Sequence, residues 1–360
     1  MTPTPQTRLE ILRTDAGFVP HLVEDGRLWA SRGSDLLCRD ALPDVDGPWR
    51  TVGRVPDPLW RRGAGRVGLL ANALRLGVHG VARLRTGGFV VSVSGHLLRS
   101  DDGATWLPTL TFSGFRKPTR HGLLVARNGH VFCAEYPLNP DRNRPVRLWR
   151  STDDGRSFAI VRTFEAGDIR HLHFIQQDPV DGSLWLGSGD GDRESGLWRS
   201  DDGGTGWQLV GRGDQRWRAI ALGFLADAVV WGTDAGSDAG PWPNRVIRLE
   251  RQSGRLDELD RLQGPVHGVT TTTSGDVLLA TGVEGGRNET DRRVHLWHGK
   301  AGTAWREITS WNKGLQPRRV QYAVAHFPRG VADGDKVYVG LRGVAGMQIG
   351  LVEARIAARS

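Results

Sequence analysis

Seven times along the chain, a short apolar run turns back on itself through a small or acidic pair and continues as a second apolar run. The turns are Asp25-Gly26, Gly87-Gly88, Asn128-Gly129, Asp181-Gly182, Ala226-Asp227, Ser274-Gly275 and Asp333-Gly334. Asp-Gly and Asn-Gly suit tight hairpins because their central residues must take positive φ. One hairpin cannot bury its own apolar faces, so a hairpin recurring every forty to sixty residues must stack on its copies. A length of 360 residues ordinarily suggests two domains, but a repeat overrides that rule. The 49 glycines and 14 tryptophans fit short strands, tight turns and periodic aromatic anchors. The expected fold is all-β, a seven-bladed β-propeller spanning residues 1–360 as a single domain. The blade count falls to six if the first, least regular unit is not a full blade.

A second repeat follows the hairpins. Arg99–Trp106, Ser151–Phe158 and Ser200–Trp207 each come after a short apolar strand and share Ser, Asp, Gly and an aromatic at similar spacing. The Asp carboxylate can accept backbone N–H groups, the Gly supplies positive φ, and the aromatic packs beneath. The pattern S-x-D-x-G-x-T-W resembles the Asp box, or BNR repeat, of the sialidase-like superfamily. The second copy matches fully, the third lacks the Thr, and the first has Arg99 at the Ser position. The segment His298–Trp305 keeps Gly and Trp but has Lys300 in place of Asp. Such a motif staples the turn between the two outer strands of a blade and is structural.

Closure is expected at the termini. Arg8–Leu12 can supply a fourth strand beside Val337–Gly340 and Ile349–Glu353, removing open sheet edges. Residues 41–76 read as a loop excursion over one face, with an apolar, helix-like run from Val67 to Leu74.

Propellers bind ligands about the axis, where the inner strands begin. Aligned on their hairpins, His79, His121, His173, Arg218 and His267 share one register, with Gln321 and Tyr322 near the same level and His171 two residues before His173. Imidazoles gathered at an axis can hold a divalent metal ion, here His79, His121, His173 and His267, or act as general bases. A ring of acids at the ends of the second strands, Glu135, Asp190, Asp234 and Glu284, offers proton donors or hydroxyl acceptors. Tyr136 adjoins Glu135. Arg142, Arg144, Arg193 and Arg342 are placed to bind a carboxylate.

The Asp-box resemblance implies a carbohydrate-active protein. Sialidases place an F-R-I-P-like motif early, whereas Phe115-Arg116-Lys117-Pro118 follows the first box here, and the chain has only three tyrosines. The His register is closer to propeller-type polysaccharide lyases, such as oligogalacturonate and ulvan lyases. That likeness implies β-elimination on an anionic, uronate-type glycan. His121 or His173 would be the base and Tyr136 or Tyr322 the acid. Arg218, with His79 and His267 or their metal ion, would hold the carboxylate. The alternatives are a sialidase-like glycoside hydrolase and a non-catalytic propeller that binds a glycan or a protein.

Formal charge is +8, in keeping with an anionic substrate. The arginines are interspersed with acids, and no nucleic-acid-binding motif is present, so no nucleic-acid partner is expected. No membrane partner is expected either, and a monomer is. Cys38 and Cys133 read as buried free thiols. With no apolar leader in Met1–Leu12, the expected location is the cytoplasm.

Overall fold

The computed structural model describes residues 7–358 apart from 43, 45, 57–76, 115–116, 301–304, 318–320 and 332. Every one of the seven turns joins the first two strands of a four-stranded antiparallel unit. The first blade comprises Val19–Glu24, Arg27–Arg32, Asp35–Asp40 and Arg50–Arg54. The next five start with Gly80–Arg83, Leu123–Val125, His171–Gln177, Gly223–Phe224 and Val266–Thr271. The seventh is built from Ala323–His326, Lys336–Val344 and Met347–Ala358, and Thr7–Ala16 from the N-terminus completes it. Blades six and seven are also joined through Gly282↔Val324 and Val283↔Ala323. Asp25 and Gly26 take φ of 52° and 66°, as a two-residue hairpin between right-twisted strands requires.

Arg50–Arg54, inside the stretch read as an excursion, is the outer strand of the first blade. Residues 57–76, including the Val67–Leu74 run, lie outside the described residues, as do Phe115 and Arg116.

The three Ser–Asp–Gly segments occupy turns between outer strands, as expected. Asp102 Oδ1 accepts the N–H groups of Ala104 and Thr105, both at 2.8 Å. Asp153 Oδ1 accepts those of Arg156 (3.1 Å) and Ser157 (2.9 Å), and Asp202 Oδ1 those of Thr205 (3.0 Å) and Gly206 (2.9 Å). One detail is corrected. In the first copy Ser100, not Arg99, takes the Ser role, accepting the Gly103 N–H at 2.8 Å. This copy is one residue shorter, which displaces the alignment.

The core is a ring of apolar clusters between neighbouring blades. Phe132, Leu148, Leu172 and Leu186 join blades three and four, and Phe174, Trp185, Val229 and Trp231 join four and five. Alternate side chains of a strand point to opposite faces, and each blade has a neighbour on both faces. An inner strand such as Leu184–Gly189 is therefore buried throughout, while the outer Gln208–Arg212 is largely exposed.

The closing seam differs. Its cluster has only Leu28, Tyr338 and Leu351 as buried members. Wholly buried Arg39 there pairs with Asp15 (2.8 Å), Asp46 (2.9 Å) and Glu353 (2.8 Å). Lys336 completes the network with Asp46 (2.5 Å) and Glu353 (2.6 Å). Charges this deep are tolerated because each has a partner. Among the described residues, no helix is long and apolar enough to cross a membrane.

Candidate functional site

The inner strands run the same way along the axis, so their first residues collect at one mouth. In three blades the pairing of the first two strands slips at a histidine: His21 between Pro20 and Leu22, His173 between Leu172 and Phe174, His267 between Val266 and Gly268. A bulge re-aims the extra side chain, and here it delivers an imidazole. Space for the ring comes from glycine on the second strand. A Cβ on Gly189 would lie 2.4 Å from His173 Cε1, and one on Gly282 would lie 2.2 Å from His267 Cδ2.

The bulge at His173 brings it together with His171 on Asp190. His171 Nε2 and His173 Nε2 lie 3.2 Å apart, and each is 3.1 Å from Asp190 Oδ1. His173 Nδ1 donates to the carbonyl of Ala219 at 2.8 Å. Burial lowers the pKa of His171 below the ordinary value, although Asp190 opposes this. Burial alone would raise the Asp190 carboxyl, but hydrogen bonds from the two histidines and the charge of Arg218 hold it well below 3.8. Arg170 Nη1 grips the other oxygen, Oδ2, at 2.7 Å.

A second group lies beside the first. Asp234, His267 and Glu284 converge, with His267 Nε2 3.0 Å from Glu284 Oε1. Both groups of three could hold a metal ion. Arg218 joins them, lying 3.1 Å from Asp190, 3.3 Å from Asp234 and 2.9 Å from Asp238. Burial pushes Asp234 up to about 6 against the charges of Arg218 and His267. Burial works against the charged form of His267, but Glu284 and Asp234 raise its pKa on balance. The Tyr136 ring stacks on His171 with centroids 4.0 Å apart. Burial, then the charges of Asp190, Asp234 and Glu284, raise the phenol, so it stays protonated at neutral pH.

The expected four-histidine metal set is not assembled. His173 and His267 belong to the two acid-containing groups, whereas His79 and His121 face a separate, cationic half of the axis. His79 Nδ1 lies 3.3 Å from Lys117 Nζ. Burial and the charges of Arg329 and Arg120 drop His121 to about 3, and both its ring nitrogens lack partners. Glu135 also stands apart. It accepts Trp149 Nε1 at 2.8 Å and the Arg147 N–H at 2.9 Å, which makes it a brace within blade three. Arg218, expected to hold a substrate carboxylate, is already engaged by three carboxylates.

Arg142 pairs with Glu194 at 2.6 Å, and Glu194 also accepts the Arg170 N–H at 2.9 Å. Arg144 lies near the Gly114 carbonyl, and the Arg193 carbonyl accepts from Arg212. Arg342 sits in blade seven opposite Val324. Tyr322 is 48% exposed, and Gln321 donates to the Gln348 carbonyl.

Several site residues were not singled out from sequence: Arg170, Asp238, His21, Arg120, His326 and Arg329. For Arg170 the signal was adjacency to His171. Arg120 stood in plain view beside His121. A cavity of about 160 Å³ opens at the opposite mouth, where Ile175, Leu222, Phe224 and Val269 make its walls mostly apolar.

No family model matches the chain. No curated protein matches it either. Solved structures do resemble it. A streptogramin B lyase matches with a TM-score of 0.57 at 15% identity over 98% of each chain. A catalytically inactive virginiamycin B lyase from Staphylococcus aureus, with quinupristin, matches with a TM-score of 0.56 at 14% identity over 98% of this chain and 100% of that one. The GH74 xyloglucanase of Xanthomonas campestris matches with a TM-score of 0.57 at 15% identity over 96% of this chain and 53% of its own. At these identities the likeness establishes the β-propeller fold.

Proposed function

We propose that the acid-and-imidazole mouth is the active site of a cation-assisted lyase acting on an anionic, uronate-type glycan. The observation that carries this reading is the His171–His173–Asp190 corner, whose three donor atoms lie 3.1–3.2 Å from one another. Atoms bound ~2.1 Å from one ion are separated by about 3.0 Å in octahedral and about 3.4 Å in tetrahedral geometry. The Ala219 carbonyl on His173 Nδ1 is the kind of outer support that metal-binding histidines receive. A divalent cation held there would polarise the substrate carboxyl group and acidify its α-proton.

The chain's own groups divide the remaining work. Asp234, with its carboxyl raised to about 6, takes the α-proton when ionised. Tyr136, kept protonated at the mouth, donates to the leaving oxygen. Arg170 and Arg218 hold Asp190 in place. The base role thus moves from His121 or His173 to Asp234. The reading keeps a single-domain monomer in the cytoplasm, without a nucleic-acid or membrane partner.

A second reading is supported by Asp190 and Asp234. One carboxyl is held far below its ordinary value and the other well above, the division that a glycoside hydrolase uses. The products separate the two readings. Digestion of polyuronates should yield unsaturated, ultraviolet-absorbing ends, with Tyr136→Phe and Asp234→Asn each slowing turnover at least ~100-fold. The wild-type rate should fall as pH drops below about 6. Saturated reducing ends would favour hydrolysis. Binding without turnover would leave the propeller a binding module.

A further inference from the structure

The cationic half of the axis has no role in the proposed reaction. Between blades one, two, three and seven lies a cavity of about 10 Å³, lined by Pro20, His21, Arg120, His121, Phe327 and Arg329. That is about the room one water-sized particle needs. The Arg120 guanidinium has no hydrogen bond or salt bridge to any described residue. His121 is 3% exposed, and neither ring nitrogen has a partner. Arg329 spans the axis and donates to the carbonyls of Leu123 and Val81, adding positive charge. His326, also with both ring nitrogens unpartnered, is close enough to feel the charge of Arg120.

Donors converge here with no carboxylate lining the cavity, and Glu24 answers only part of the Arg329 charge. A guanidinium offers only N–H groups, and a neutral imidazole always offers one. Arg120 is half-buried, and a cation held partly away from water without a counter-charge is costly. A water molecule would satisfy some donors and leave the charge uncompensated. Within this cavity a carboxylate or sulfate exceeds the space, whereas a monoatomic anion needs little more than a water; the larger cavity that His121 and Arg329 also line does not include Arg120.

We propose that this cavity is a halide site, holding one chloride-sized anion on the Arg120 guanidinium and the His121 ring N–H, with Arg329 adding charge. The site does not depend on the proposed reaction or on the cation corner.

The test is thermal unfolding of the full chain at fixed ionic strength in sodium chloride, bromide, acetate, sulfate or gluconate. Chloride and bromide should raise the Tm saturably by a few degrees over gluconate, as a ligand specific for the folded state does. Arg120→Gln should lose that difference, and Asp190→Asn should keep it. An identical halide response in Arg120→Gln would overturn the proposal, as would an equal saturable rise in acetate or sulfate. Anomalous diffraction from wild-type crystals soaked in bromide gives a readout that survives misfolding of the variant. A peak between Arg120 and His121 is expected, and its absence at saturating bromide overturns the site.

Discussion

Arg218 and Arg120 both stand just before the inner strand of their blade, and both face the propeller axis. Arg218 is met by Asp190, Asp234 and Asp238, and these carboxylates raise its pKa despite burial. Arg120 meets no carboxylate, and burial with the charge of Arg342 lowers it to about 9. The histidines divide in the same way. His267 is raised beside Glu284, while His121 falls to about 3. Histidines at one register, and arginines within one residue of it, thus acquire opposite electrostatics according to which blades surround them. Blades four to six supply acids at the ends of their second strands, whereas blades three and seven supply arginines and blades one and two supply the buried His21 and His79. The groups that could hold a cation lie in the first half, and the second gathers positive charge.

Substitution of the two arginines should expose this most sharply. Arg218→Met strands buried Asp190 and Asp234 without their cation, and about 3–5 kcal/mol of stability should be lost in urea unfolding. If it unfolds no more readily than Arg120→Met, the contrast between the halves is wrong. Cation affinity is the next measure. Asp190→Asn should weaken Mn²⁺ or Zn²⁺ binding in calorimetry by more than about 100-fold, whereas His121→Ala should leave it unchanged. Equal losses would mean that the axis works as one site.

Acid titration should tilt the halves in opposite directions. His121 has a folded pKa far below 6.5, so its contribution to stability is present above 6.5 and is lost as pH falls toward about 3. His21, His79 and His326 are lowered in the same direction, chiefly by burial. Each adds a slope of up to ~1.4 kcal/mol per pH unit below 6.5. His267 is raised, so its contribution is present below 6.5 and is lost as pH rises through its folded value. Urea unfolding across this range should show a shallower acid limb in His121→Asn, and an unchanged limb would break the assignment. The smallest effect is expected from Arg120→Met in halide-free buffer, a gain of up to about 1 kcal/mol from removing an unanswered charge. A clear loss would show that Arg120 is compensated.

Much of the fold was legible because its determinants are local. Asp25-Gly26 and Asn128-Gly129 can hardly be anything but turns, and Asp102, Asp153 and Asp202 bond to backbone only two to four residues away. The site was half legible. That His171, His173, Asp190, Asp234, His267 and Glu284 gather at one mouth is readable because a repeat places equivalent positions at one height. The error was to treat the ring as uniform and join His79 and His121 to the same metal set. Repeat register gives height along the axis but not the identity of the neighbours across it. Glu135 misled for a related reason. Its strand end matched those of the other acids, but Trp149 and Arg147 hold its carboxylate inside the blade.

The sequence alone determined the β architecture, the hairpins, the outer turns and the strand that closes the last blade, since each depends on residues near in sequence or on a repeated pattern. Only the tertiary structure decided the bulges that aim His21, His173 and His267, the pairing of both histidines with Asp190, and the division of the axis into acidic and cationic halves. Those properties arise from groups brought together by closure of the ring. The energy of a buried charge depends on what lies within a few ångströms of it, and no spacing along a single blade records that.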